Sequence, residues 1–412
     1  MINNKIKKFK KDIKINKDAE YNYYYGKIAL KLKYLKTALS VFLLIFICGG
    51  FVLVEELSFD NIASLWRYMD IVPAGRTVTH EFRIDADELS ATGYHRNNIA
   101  VLRRNRLDIY DMTGRRSNTF LLVYSNPVLR VSERYILAYD LGMNKLDIFN
   151  AVSHVHEYLG EDPIFSAGIT ERGFVVYVTR ETGYTSVIKV LNNNFSEIYA
   201  VYRVNDFIMD ADIDEGANYL VTAGYYAEGG DYLTSILLYK TDSEEPVRDI
   251  KVRGERPYRV KLNNSGFCVV LENTVRFYDL NGEEISLYNL AGRTIQLLEL
   301  GRDFSAVILS ERTLGNDSRI LIFDKSGDIV WEQSVDREIM DIKFSDDYNY
   351  LYFLTRAGLY RIEIDAGIFE QVAARINEDG EAEYDETTRS IVFANDRNIF
   401  LSGLAKVNIL EK

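Results

Sequence analysis

The sequence predicts an all-β fold of eight repeated four-stranded units closed into a ring, preceded by one N-terminal membrane-crossing helix. Three observations predict it. Strand-like apolar runs recur about every forty residues from Thr77 onward. The stretch Ile339–Leu351, IMDIKFSDDYNYL, repeats Ile208–Leu220, IMDADIDEGANYL, at six of thirteen positions without a gap. Between Lys36 and Glu55 lie eighteen uncharged residues, TALSVFLLIFICGGFVLV. With 47% hydrophobic and 27% charged residues in 412, the composition is that of a folded chain, not a disordered one.

Residues 1–36 form a basic tail. Its eleven lysines outweigh Asp12, Asp18 and Glu20, giving +8 and leaving −20 of the total −12 on residues 37–412. The uncharged run 37–54 would span about 27 Å as a helix, against a hydrocarbon core of roughly 30 Å. A cleaved signal peptide is disfavoured: the lysine segment is long, and Glu55-Glu56-Leu57 stands where a small-x-small site is needed. Cys48 follows Phe46 and Ile47, which excludes a lipoprotein signal. Lysine excess marks the cytoplasmic side. The expectation is a single-pass plasma-membrane protein with a cytoplasmic N-terminus and an extracytoplasmic C-terminal body. The lipid bilayer is its partner through residues 37–54.

Residues 55–76 read as a membrane-proximal helix and linker. Phe59, Ile62, Leu65, Trp66 and Met69 share a helical face, Ser58 caps it and Pro73 ends it. Cys48 lies in the apolar run and Cys268 in the strand-like FCVVL, so no disulfide is expected. The acidic body argues against a nucleic-acid partner.

The body, residues 77–412, is built from the repeat. Indexed on the second strand, the units begin near Ile99, Tyr135, Phe174, Tyr219, Phe267, Ala306, Tyr350 and Ile391. Four strands per forty-odd residues is the signature of a β-propeller blade. The third strands read LDIYD (107–111), LDIFN (146–150), SVIKVL (186–191), SILLYK (235–240), VRFYDL (275–280), RILIFD (319–324) and LYRIEI (359–364). Three run into Asp-x-x-Gly: Asp111–Gly114, Asp279–Gly282 and Asp324–Gly327. Asp hydrogen-bonds a turning backbone and Gly accepts positive φ, so each should build a tight hairpin into the outer strand. The last unit supplies EAEYDE (381–386), SIVFAN (390–395) and NIFLSG (398–403) as strands. Its missing fourth is expected from TVTHEFRI (77–84), which would seal an eight-bladed ring; seven blades is the alternative.

IMDIKFSDDYNYLYFL resembles the strand-turn-strand signature of WD40-like and YVTN-type propellers. FDKSGDIVWEQSV (323–335) resembles one repeat of the quinoprotein-like propellers. The layout of basic tail, anchor and outer propeller is similar to an uncharacterised family of bacterial membrane proteins. The resemblance covers about residues 77–405 and implies a scaffold, with no particular reaction. Quinone dehydrogenases of that class need a ring of tryptophans, and this chain has only Trp66 and Trp331.

No other motif selects a chemistry. Asp210, Asp212 and Asp214 begin like a calcium loop, but Glu215 and Val221 occupy positions that need Gly and Glu. His154 and His156 alternate on one expected strand and should share a face. Two such histidines hold zinc only if further ligands arrive. No cofactor, metal or catalytic set is expected. The first strand of each blade lines the axis, which nominates Arg130, Asp210, Asp212, Arg259, Lys261, Asp341 and Lys343 as channel-lining ligand contacts. Tyr226–Tyr232 and Arg312–Ser318 are the larger insertions between second and third strands. The leading expectation is a non-catalytic binding scaffold for an envelope or membrane protein. The alternatives are an extracytoplasmic enzyme acting on a glycan or peptide, and a ligand sensor signalling through the tail.

Overall fold

The computed structural model describes residues 40–41, 81–84, 90–310, 318–376, 380–381, 383–395 and 398–411. Ser40 and Val41 are helical. The rest of the expected anchor 37–54, the tail 1–36, the linker 55–76 and the insertion 312–317 lie outside the described residues. Among the described residues no helix is long and apolar enough to cross a membrane.

The described strands form eight antiparallel four-stranded sheets. Blade 1 contains Ala91–His95, Asn98–Leu102, Arg106–Asp111 and Arg116–Leu121, from the axis outward. The innermost strands of blades 2 to 8 are Pro127–Val131, Ser166–Ile169, Phe207–Ile213, Pro257–Leu262, Thr294–Leu300, Ile339–Phe344 and Ser390–Ala394. Strands alternate in direction. One face of the ring therefore carries the turns from first to second and third to fourth strands. The opposite face carries the second-to-third turns and the connectors between blades.

The second and third strands are apolar on both faces because both faces are covered. In blade 2, Ile136 and Ala138 pack with Leu107 and Ile109 of blade 1, whereas Leu137 and Tyr139 pack with Val175 and Tyr177 of blade 3. The described core divides into eight apolar clusters, one at each interface between neighbouring blades. Each fully buried Leu, Ile or Val in them contributes about 1.5–3 kcal/mol.

The ring is closed by the chain's own N-terminal strand. Glu81–Arg83 pairs antiparallel with Lys406–Asn408, and Ile84 N donates to Ala405 O at 2.8 Å. Phe82 and Ile84 then join Val407 and Ile409 of blade 8 against Ile99, Val101 and Tyr110 of blade 1. The expected donor segment is correct, but the last unit is assembled differently. EAEYDE forms no strand among its described residues; Asp385 instead accepts from Thr387 N at 2.7 Å in a turn. Ser390–Ala394 is the innermost strand of blade 8, not its second, and Asn398–Ser402 and Lys406–Glu411 follow it outward. The insertion YAEGGDY is also more regular than expected. Tyr219–Glu228 and Asp231–Lys240 pair along their whole length, and only Gly229-Gly230 turns.

The Asp-x-x-Gly hairpins form as expected. Asp111 Oδ1 accepts Thr113 N and Arg115 N at 2.8 and 3.1 Å; Asp279 and Asp324 make the equivalent pairs. Gly114, Gly282 and Gly327 have φ of 76°, 76° and 86°. A Cβ on Gly114 would meet Phe82 Cβ at 2.2 Å, whereas one on Gly142, at φ 78°, meets nothing within 4 Å. Gly142→Ala should therefore cost only the backbone strain, about 1 kcal/mol. Gly114→Ala should cost about 3 kcal/mol, because it also pushes on the closing strand. Denaturant midpoints of the two variants measure the difference; equal losses would mean that Phe82 is not packed there.

Candidate functional site

The repeated sequence at Ile208 and Ile339 encodes a local device. In both inner strands the register shifts at the second residue, leaving Met209 and Met340 as bulges. Pro257–Leu262, Thr294–Leu300 and Ser390–Ala394 carry the same irregularity, at Tyr258, Gln296 and Val392. A bulge re-aims the next side chain. Asp210 thereby accepts from Val260 N of blade 5 at 3.1 Å, and Asp341 from Ile391 N of blade 8 at 2.6 Å. Asp212 repeats the contact one step along, accepting from Leu262 N at 2.8 Å. Gln296 makes a related link, donating to Ile339 O at 3.0 Å. Carboxylates of one blade thus hold the inner backbone of the next.

Asp210 and Asp212, and Glu299 of blade 6, pair across blades with cations on the next inner strand. Arg259 Nη1 lies 3.4 Å from Asp210 Oδ1, and Lys261 Nζ lies 3.2 Å from Asp212 Oδ2. Lys343 Nζ lies 2.6 Å from Glu299 of blade 6. Ser166 Oγ of blade 3 donates to Asp210 Oδ1 at 2.6 Å. The Asp212 and Glu299 carboxylates hold the Lys261 and Lys343 ammonium groups above the usual lysine range. Burial pushes Asp212 upward and Asp341 up to about 6.

All seven nominated residues lie on inner strands, in blades 2, 4, 5 and 7. Six enter the cross-blade contacts or pairs. Arg130 does not: its Nη1 donates to the Leu129 carbonyl at 3.1 Å. The nomination missed Glu299 and Ser166, and Tyr348, Glu171 and Glu215 on the turn face. Tyr348 holds φ 60°, as Ala217 holds 53° at the equivalent place in the repeat. Its hydroxyl accepts from Arg302 N of blade 6 at 3.0 Å. Glu215 of blade 4 accepts from Glu171 N and Arg172 N of blade 3 at 3.3 and 3.2 Å, so neighbouring turns are stitched together.

The two histidines do not share a face. A bulge at Val155 sets His156 opposite Ile148 and His154 opposite Phe149. His154 stacks on Phe149, in the interface with blade 1, with Nε2 2.8 Å from the buried Asp147. His156 stacks on Phe195 towards blade 3. Among the described residues no group of three or more His, Cys, Asp or Glu is placed to hold a metal. Cys268 is buried, with its thiol pushed up to about 12 by burial, while Cys48 lies outside the described residues.

An Asp341 carboxyl whose folded pKa lies above its unfolded value favours folding at low pH. That contribution is present below about pH 4 and lost as pH rises through 6. Asp341→Asn keeps an acceptor for Ile391 N without the charge. The parent should lose on the order of 2–3 kcal/mol between pH 4 and 7 relative to this variant. Denaturant midpoints across that range check it; parallel curves would refute it.

The family described as "Family of unknown function (DUF5711)" matches residues 74–365, well over half of the chain, and the chain belongs to that family. Among curated proteins, none matches. Among solved structures, the computationally designed Ika8 protein is similar with a TM-score of 0.58 at 10% identity, covering 79% of this chain and 96% of that one. The C-terminal WD40 domain of Sif2 gives 0.51 at 12%, covering 80% and 98%. BamB from Moraxella catarrhalis gives 0.49 at 14%, covering 82% and 99%. At such identities the likeness is one of fold: this is a β-propeller, with the WD40 type among its structural neighbours.

Proposed function

We propose that this member of the DUF5711 family is a membrane-anchored, non-catalytic scaffold that docks a protein of the cell envelope. Residues 37–54 cross the plasma membrane once, residues 1–36 stay in the cytoplasm, and the propeller stands outside it. The uncharged run behind eleven lysines supports the anchor and its orientation.

One observation carries the docking role. Blades 1, 2 and 3 leave large apolar side chains in water at the same place, where the outer strand meets the connector. These are Leu121 and Val123 (85% and 87% exposed), Leu159 (67%) and Val204 (60%). Tyr184 and Tyr202, with ring centroids 4.9 Å apart, add to the end of blade 3. Consecutive blades place these residues along one rim of the connector face. Large apolar side chains exposed together on one rim favour protein contact, and aromatic side chains anchor such contacts. The partner is a protein with an apolar surface to match.

The test uses full-length protein at native expression, with a photo-crosslinking residue at Val123 or, on the opposite face, at Asn281. Val123 should capture one abundant envelope protein that Asn281 does not. In intact cells, added protease should digest the propeller and spare a tag at the N-terminus. Equal capture from both faces would remove the docking rim, and a digested tag would reverse the topology.

A further inference from the structure

We infer that a step between blades 4 and 5, on the connector face, binds a neutral glycan chain with Tyr232 as its stacking platform. The inference does not rest on the docking rim of blades 1 to 3.

The step arises because the second-to-third hairpin of blade 4 is longer than that of blade 5. In blade 5 the second strand, Gly266–Leu271, ends opposite Pro257, the first residue of the inner strand. In blade 4 the first inner residue, Phe207, stands opposite Tyr225, and the hairpin runs three residues further, to Glu228, before it turns. At about 3.3 Å per residue the hairpin stands roughly 10 Å beyond its neighbour. Val221 and Ala223 pack on blade 5. Tyr225, and Tyr232 opposite Ala227, continue that same face past the end of blade 5 and form the wall of the step. The connector 254–256 is its floor. Gly254 N donates to Tyr232 O at 2.8 Å, and Glu272 N donates to Arg256 O at 2.9 Å, so the floor is tied to both blades.

The side chains of the step are held in place. Tyr225 and Tyr232 meet edge to face with centroids 5.7 Å apart, and Phe207 supports Tyr225 at 5.9 Å. The Arg256 guanidinium lies 5.6 Å from the Tyr232 centroid. It grips Glu272 through two hydrogen bonds of 3.3 Å, from Nε and Nη2. Tyr232 nevertheless stays 47% exposed.

This chemistry selects the ligand. The rim of blades 1 to 3 is led by aliphatic side chains, whereas the large apolar side chains exposed at the step are Tyr232 and Tyr258. The apolar C–H face of a sugar ring stacks on such a ring. A pair of neighbouring hydroxyls both donates and accepts, and the Arg256–Glu272 pair offers N–H donors and carboxylate acceptors side by side. A proline-rich peptide would also stack on tyrosine, but proline has no N–H to give Glu272. Lys251, Arg253, Arg256 and Arg276 each have their own carboxylate, in Asp249, Glu228, Glu272 and Glu255. No cation there is left to select an anion, which makes the glycan a neutral one.

The experiment is calorimetric titration of the full-length chain in a detergent without a sugar headgroup. The probes are maltohexaose, cellohexaose and chitohexaose, with hexagalacturonate as the anionic chain and decaproline as the peptide. At least one neutral hexasaccharide should bind with a Kd of about 1 mM or tighter. Tyr232→Ala should weaken that binding about ten-fold, and Tyr232→Phe, which keeps the ring, about two-fold at most. Glu272→Ala should weaken it without altering the hairpin, and decides the matter if Tyr232→Ala is unstable. Tyr184→Ala, on blade 3, should bind as the parent does. The proposal is overturned if no neutral hexasaccharide binds, or if binding survives loss of both Tyr232 and Glu272. It is equally overturned if decaproline binds with the same dependence on Tyr232, or if hexagalacturonate binds more tightly than every neutral probe.

Discussion

Everything in this fold depends on one constraint: a four-stranded sheet with two apolar faces is stable only when both are covered. Each blade covers one face of each neighbour, so the arrangement has no natural end until it closes on itself. The closing contact is small. Three residues, Glu81–Arg83, pair with Lys406–Asn408, and Phe82 and Ile84 fill the interface between blades 8 and 1. Without that strand the outer edge of blade 8 and part of an apolar interface would meet water. Residues more than three hundred positions apart in sequence, such as Glu81 and Lys406, are thereby made neighbours.

Around the axis the constraint is polar. Where blade 4 meets blade 5 and blade 7 meets blade 8, the inner strands are held by carboxylates that accept the next blade's backbone N–H groups. Lys261 and Lys343 are fixed by Asp212 and Glu299, and Asp210 gathers Ser166, Val260 N and Arg259 in one place. Partial burial rewards such pairing.

Much of this was legible in the chain. The period of the apolar strands and the Asp-x-x-Gly turns encode local geometry, and Asp111, Asp279 and Asp324 make the bonds their spacing implies. The donor strand was legible because the last unit was one strand short. Misreadings arose where length or bulges override pattern. The connector 375–389 displaced the strand assignment of blade 8, because EAEYDE alternates like a strand yet is used as a turn. The bulge at Gln296 shifts the alternation of TIQLLEL, so Glu299 did not register as an axial residue. The bulge at Val155 separates His154 from His156, a separation that spacing alone denies.

The repeat that joins Ile208 to Ile339 can now be read physically. Ile fixes the strand in the interface, Met bulges, Asp reaches the next blade, and a later residue in the left-handed region turns the chain. The two copies tie blade 4 to blade 5 and blade 7 to blade 8 at the inner strands, and the N-terminal strand closes the outer edge of blade 8. The most direct test of the closure is a disulfide between Arg83→Cys and Lys406→Cys, whose Cα atoms are paired across the two strands. The account predicts near-complete disulfide formation under mild oxidation and a gain of about 5 kcal/mol in unfolding free energy over the reduced form. Failure of the pair to oxidise, or oxidation with no gain, would contradict a ring sealed by its own first strand.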